Sequence, residues 1–125
     1  TAAGNPEAPF NLPLMAYASG ATYIARWTML HTRDLTEYIE DAINKKGFSF
    51  VEVLSPCPIN YGRRNREKSI ETLKKYNENT IIKNGADPSE LEIDFDKGVV
   101  LGKFIDIDKP THDEKYRKLY ETDQG

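Results

Sequence analysis

One cysteine, Cys57, stands among 125 residues. It closes no disulfide within the chain, and it offers one thiolate where a cysteine-held iron–sulfur cluster takes four, so such a site must borrow ligands from elsewhere. No GxGxxG, Walker A or Gly-Asp-Gly run occurs, which removes the usual glycine-rich cradles for phosphate. The apolar runs are a few residues long, far below the roughly 20 that cross a bilayer, and no basic stretch leads into an apolar one at the start. Nor is there an excess of positive charge: 17 Lys+Arg against 20 Asp+Glu leave 17 − 20 = −3, with a pI near 5.4. Nucleic acid and anionic membranes both call for clustered Lys and Arg in excess, so neither partner is expected. These absences leave a soluble, cytoplasmic protein as the expectation. The sequence opens on Thr1 rather than Met, which reads as a cut from something longer.

What is present is unevenly spread. Residues 1–62 hold 30 of the 48 hydrophobic residues and only 10 of the 37 charged ones, leaving 18 and 27 for residues 63–125. The chain therefore divides into an α/β core segment over 1–62 and a helix, hairpin and charged C-terminal extension over 63–125, the latter suited to lie over a partner. Pro6 and Pro9 mark an extended opening. Leu12, Met15, Ala16 and Ser19 then fall at helical spacing, with Pro13 in the first turn and Gly20 as the stop. Residues 21–27 read as a buried strand. Asp34 or Thr32 can cap a helix whose apolar stripe is Leu35, Ile39, Ala42 and Ile43, ending at Gly47. Phe48–Leu54 is the clearest strand, apolar except for Ser49 and Glu52, as expected where both faces are covered.

Strand, helix and strand in that order predict a crossover between parallel neighbours. The loop 55–65 then leaves the carboxyl edge of the sheet, where open α/β sheets bind ligands. Beyond it the sequence predicts a helix over 66–77 capped by Asn65. A β-hairpin of 91–95 with 99–107 follows, turning at 96–98. A charged helix over 113–120, introduced by Pro110 and Thr111, ends the chain.

Several residues invite a chemical reading, each beside a plainer one. Cys57, between Pro56 and Pro58, is a metal ligand or nucleophile, or a small hydrophobe at a strand end. His31 is a base, or a cap and surface group at a helix start. His112 lies in the charged tail. Trp27 lines a site or packs in the core. Tyr61-Gly62-Arg63-Arg64-Asn65 is an anion clamp at a helix mouth or solvated charge. Asp94, Asp96, Asp106 and Asp108 alternate along the expected hairpin, so that each pair shares a face, yet they have no general-acid logic without burial.

Gly4-Asn5-Pro6-Glu7, Gly20-Ala21-Thr22-Tyr23-Ile24-Ala25-Arg26-Trp27, the run from Gly47 to Pro58 and Tyr61-Gly62-Arg63-Arg64-Asn65 form one ordered series. In order and spacing the series resembles the C-terminal half of the beta subunit of 2-oxoacid:ferredoxin oxidoreductases, closest to the 2-oxoglutarate type. The resemblance runs over nearly the whole chain and thins after Gly85. It implies part of a parallel-sheet, thiamine-diphosphate-binding fold (the pyrophosphate domain). The implied reaction is oxidative decarboxylation of a 2-oxoacid with coenzyme A, using thiamine diphosphate and Mg²⁺ and passing electrons through a [4Fe–4S] cluster to ferredoxin. It also implies that Cys57 is the fourth ligand of that cluster, joined by cysteines absent from this chain.

The family's N-terminal Cys-x-x-Cys segment and its Gly-Asp-Gly…Asn motif have no counterpart here. The resemblance thus implies no catalytic residue and no thiamine-binding residue in this chain, and an inactive fragment when it stands alone. The implied partners are the N-terminal half of the same subunit, the alpha subunit and ferredoxin, with self-association through an exposed sheet edge as a further expectation. The alternative from a different class is a small non-catalytic α/β interaction module that docks on a partner protein through its charged tail.

Overall fold

The computed structural model describes residues 6–57, 59, 62–63, 68–94 and 98–122. Helix α1 (Leu12–Ala18) starts where Asn11 accepts a hydrogen bond from the Leu14 N–H through its side-chain oxygen at 3.1 Å, with Pro13 in the first turn. Such a cap satisfies one of the N–H groups that a helix start leaves without an internal partner. Strand β1 (Tyr23–Thr28) follows and is buried at every position. Helix α2 (Thr32–Asn44) then leads to strand β2 (Ser49–Leu54). The two strands are parallel, from Tyr23 opposite Ser49 to Thr28 opposite Leu54, which is the expected crossover. Its return is tight at Gly47, where φ is +102° and a Cβ would lie 2.9 Å from Thr22 Oγ1, so only glycine fits without a shift. Neither Thr32 nor Asp34 caps α2. His31 holds the N-cap position and makes no side-chain cap bond.

The second half departs further from the sequence reading. Helix α3 (Ser69–Glu78) starts inside the expected span of 66–77 and ends one residue past it, and the proposed cap Asn65 falls outside the described residues. A short strand β3 (Thr80–Ile82), not expected, follows directly. After a 3₁₀ turn (Pro88–Glu90) comes strand β4 (Val99–Asp106), and helix α4 (His112–Thr122) ends the chain. Thr111 and Glu114 cap α4 reciprocally, each side chain accepting from the other's N–H at 3.2 and 2.9 Å.

The sheet order is β2-β1-β4-β3. β4 runs antiparallel to β1 and parallel to β3, so the sheet is mixed and mostly parallel. It draws strands from both sides of residue 62.

Among the described residues the hairpin of 91–95 with 99–107 does not form. Residues 91–94 carry no strand, and β4 spends its ladder on β1 and on the segment 79–85, including Lys83 N–H to the Leu101 carbonyl at 2.9 Å and Gly85 N–H to that of Lys103 at 2.8 Å. Leu91 instead fills the core on one side of the sheet, while Ile93 packs against the cluster on the other. Side-chain burial outweighed the turn signal.

Two apolar clusters sandwich the sheet. On the α1 face, Ile24 and Phe104 pack with Ala16, Ala21, Ala86 and Leu91. On the α2 face, Tyr23, Ala25, Trp27, Val99 and Leu101 meet Leu35, Tyr38 and Ala42 of the helix. β2 is less covered than the sequence reading requires: Val53 remains 44% exposed.

Candidate functional site

The carboxyl ends of the parallel pair β1 and β2 carry the residues that the sequence singled out. Beyond β1 the chain turns through Met29, Leu30 and His31. The turn is closed by the His31 N–H donating to the Thr28 carbonyl at 3.1 Å and the Leu30 N–H to Thr28 Oγ1 at 3.2 Å. Thr28 Oγ1 also meets His31 Nδ1 at 2.8 Å, which turns the imidazole back toward its own strand. His31 is thus a local brace at the helix start, half-buried and without the side-chain cap bond that the plainer reading expected.

The loop after β2 is tied to this turn. Met29 N–H donates to the Leu54 carbonyl at 3.1 Å, and Ser55 Oγ to Met29 Sδ at 3.3 Å. Cys57 lies exposed just beyond, and its carbonyl accepts from the buried Gly62 N–H at 3.2 Å. That bond closes the loop on itself and holds the cysteine clear of the sheet. Exposed Met29, Leu30 and Ile59 give the same edge an apolar surface.

Trp27 lies under this edge, 2% exposed, and packs in the core. Its ring stacks on Tyr38 with centroids 5.2 Å apart, and His31 leans on it at 5.5 Å. Its Nε1 is buried with no hydrogen-bond partner, a state few native donors tolerate.

The other candidates disperse. Arg63 is exposed, while Tyr61, Arg64 and Asn65 of the supposed anion clamp lie outside the described residues. His112 sits at the start of α4, edge-on to Tyr116 at 4.6 Å. Of the four aspartates, Asp96 is outside the described residues, and Asp106 and Asp108 converge on Lys45 Nζ at 2.8 Å each. Asp106 also takes Lys103 at 2.7 Å. Their role is to staple the end of β4 to α2. The Lys103 and Lys45 ammonium groups hold the Asp106 carboxyl below its usual range, and Asp106 in turn raises both lysines. Burial, with Asp41 nearby, pushes the Tyr23 phenol up, so it stays a neutral donor to the Tyr38 carbonyl at 3.1 Å.

The sequence reading missed a buried ion pair. Arg26 is fully buried; its Nε donates to Glu52 Oε2 at 2.6 Å and its Nη2 to the Leu91 carbonyl at 2.9 Å, leaving Nη1 without a partner. One opposite charge in the middle of each of two adjacent apolar strands was the available signal.

Cys57 suits the part of one thiolate ligand: exposed, on a loop tied down at both ends, at the edge where α/β sheets hold ligands. Among the described residues no three His, Cys, Asp or Glu side chains group to hold a metal ion. A cluster held by Cys57 would have to draw its other ligands from outside them. No Gly-Asp-Gly segment is present for thiamine diphosphate and Mg²⁺, so these residues do not fit that cofactor. Nor is any described helix long and apolar enough to cross a membrane.

A mixed, mostly parallel sheet with a strand-helix-strand crossover, and a tethered cysteine loop at its carboxyl edge, defines the class as an α/β unit. No protein-family model matches the chain. The chain is 45% identical over 120 residues to the 2-oxoglutarate synthase subunit KorB of Methanocaldococcus jannaschii, covering 94% of this chain and 44% of that one. The Methanothermobacter marburgensis KorB is 36% identical over 126 residues, at 98% and 43%. Among solved structures, a 2-oxoglutarate:ferredoxin oxidoreductase from Magnetococcus marinus, with 2-oxoglutarate, coenzyme A and succinyl-CoA bound, superposes with a TM-score of 0.71 at 26% identity. The match covers 98% of this chain and 42% of that one. Over nearly its whole length the chain is similar to beta subunits of 2-oxoglutarate:ferredoxin oxidoreductases, and it spans less than half the length of the relatives it matches.

Proposed function

We propose that this chain is the C-terminal part of the beta subunit of a 2-oxoacid:ferredoxin oxidoreductase acting on 2-oxoglutarate, and that it supplies Cys57 as one ligand of a [4Fe–4S] cluster. The similarity to KorB subunits over nearly the whole chain carries this reading. It extends through β4 and α4, which favours a subunit over a free-standing interaction module. The position of Cys57, exposed at the carboxyl edge, supports its role.

The cluster, when bound, supplies one-electron transfer. What this chain contributes is positional: the Met29–Leu54 and Gly62–Cys57 backbone bonds fix where the thiolate stands. Thiamine diphosphate, Mg²⁺ and coenzyme A belong to the rest of the enzyme, as do the other cysteines. The partners are the N-terminal half of the subunit, the alpha subunit and ferredoxin, in the cytoplasm.

The test is Cys57→Ser in the complete subunit. Iron content and the visible cluster absorption should fall while thiamine diphosphate binding persists; an unchanged iron content and spectrum would refute the assignment. The chain alone, given thiamine diphosphate, Mg²⁺, coenzyme A, 2-oxoglutarate and an electron acceptor, should show no turnover.

A further inference from the structure

We infer that Thr28 locks His31 in the tautomer that carries its proton on Nε2, and that this N–H is a donor held beside Cys57 to hydrogen-bond a sulfur of the cluster there and raise its reduction potential. The second half rests on the reading that Cys57 is an iron–sulfur ligand; the tautomer rests on this chain alone.

Thr28 is fully buried, so its hydroxyl must find its partners inside the protein. Its Oγ1 accepts the Leu30 N–H at 3.2 Å and lies 2.8 Å from His31 Nδ1. Among the described residues that nitrogen is the one acceptor open to the hydroxyl proton. A ring protonated on Nδ1 would donate to Oγ1 as well and strand the hydroxyl proton in the core, a state that buried polar groups rarely tolerate. Nδ1 therefore accepts, and the neutral ring keeps its proton on Nε2.

Among the described residues Nε2 meets no acceptor, and unlike the indole nitrogen of Trp27 it is not sealed in the core. The ring is fixed from two sides, by Thr28 and by the Trp27 ring at 5.5 Å. The cysteine loop is bound to the same turn. Met29, two residues before His31, donates its N–H to the Leu54 carbonyl, and Ser55, two residues before Cys57, donates to Met29 Sδ. Two residues of chain reach at most about 7 Å, so imidazole and thiolate stand on adjoining loops at one edge. A neutral donor in that place favours the more negative, reduced state of a cluster, since hydrogen bonds to the sulfurs are one of the levers that set its potential.

Two experiments separate the halves. In the 125-residue chain labelled with nitrogen-15 histidine, the His31 resonances are identified by their loss in His31→Gln. They should show the Nε2–H tautomer at about pH 8, where histidines are ordinarily neutral; the Nδ1–H form, or a mixture of the two, overturns the inference. Thr28→Val should bring in a share of the Nδ1–H form, and a spectrum it leaves unchanged shows that Thr28 locks nothing.

In the complete subunit within its complex, the cluster potential is read by EPR-monitored titration. At the potential where the unsubstituted cluster is half reduced, His31→Phe, which keeps a ring on Trp27, should lower the ratio of reduced to oxidised cluster about tenfold, a shift of about 59 mV for one electron, at unchanged iron content. His31→Gln, whose amide N–H takes the place of Nε2, and His112→Phe on α4 should both stay within about twofold. A potential unmoved by His31→Phe, or moved as far by His31→Gln, overturns the donor and leaves Cys57 as a ligand. Iron lost from His31→Phe makes the residue a structural brace only and overturns it too. Iron retained in Cys57→Ser refutes the ligand reading instead, and with it the donor's target, while the tautomer stands on its own spectrum.

Discussion

The two faces of the sheet are built differently. The α2 face is local: a helix of 13 residues lies between the strands it covers, and Tyr38 reaches Trp27 over 11 positions. The α1 face is assembled from afar. Its helix has seven residues, and the gap beside it is filled by Leu91 and the Pro88–Glu90 turn, held by Arg26 across 65 positions and by the Asn11 side-chain N–H to the Pro88 carbonyl across 77. Each face buries a similar set of side chains, but only the second depends on polar groups buried between distant segments. Such groups stabilise little by their presence and cost a great deal when half removed.

The sharpest way to break that asymmetry is Glu52→Ala, which leaves the Arg26 guanidinium buried without its counter-ion. A loss of about 3–5 kcal/mol in unfolding free energy is expected, read by urea denaturation. Replacing both partners, as Arg26→Met with Glu52→Leu, should recover most of that loss, because the pair pays desolvation twice. If the double variant is as unstable as the single, the pair is a net stabiliser and the account of this face is wrong.

Leu91→Ala comes next, with an expected cost of about 2–5 kcal/mol from lost burial and the cavity left behind. It tests whether residue 91 is core, as its zero exposure states. The measurement is again the denaturation midpoint, at unchanged m-value.

This contrast also explains which parts were legible. Leu35, Ile39, Ala42 and Ile43 announce α2 by spacing, and the apolar runs on either side announce β1 and β2, because each signal lies inside one window of the chain. Nothing within residues 91–98 shows that the Leu91 carbonyl is claimed by Arg26, so turn chemistry at 96–98 pointed to a hairpin. β3 was missed because three residues with one Thr carry no period. At the edge, the order of residues around Cys57 was readable, and so was its place after a strand. The Thr28–His31 brace and the Met29–Leu54 tether were not, since both depend on how two separate loops meet.

A smaller effect probes the ends of the α1 face. Asn11 both caps α1 and donates to the Pro88 carbonyl at 2.8 Å, so Asn11→Ala removes a cap and a long-range tie at once. The expected cost is about 1 kcal/mol, within the range for lost N-caps. Asn11→Asp keeps the cap oxygen but loses the N–H. A variant with only part of the deficit would separate the two contributions.

The smallest effect belongs to the α2 side, where the charges stay wet. Asp106 titrates below its usual value of 3.8 because Lys103 and Lys45 favour its charged form, and those lysines titrate above 10.5 for the same reason. A lowered carboxyl stabilises the fold above pH 3.8 and loses that contribution as pH falls through the still lower folded value. The raised lysines act below pH 10.5 and lose theirs as pH climbs through their folded values. Asp106→Asn should therefore lower the melting temperature by a nearly constant amount between about pH 5 and 9, and the gap should close on acidification below 3.8. At neutral pH the deficit should stay under about 1 kcal/mol, because Asp106 is 37% exposed and solvent screens the network. A gap that persists unchanged at pH 2 would mean that Asp106 acts through packing rather than charge. The α2 face would then resemble the α1 face more closely than their hydrogen bonds suggest.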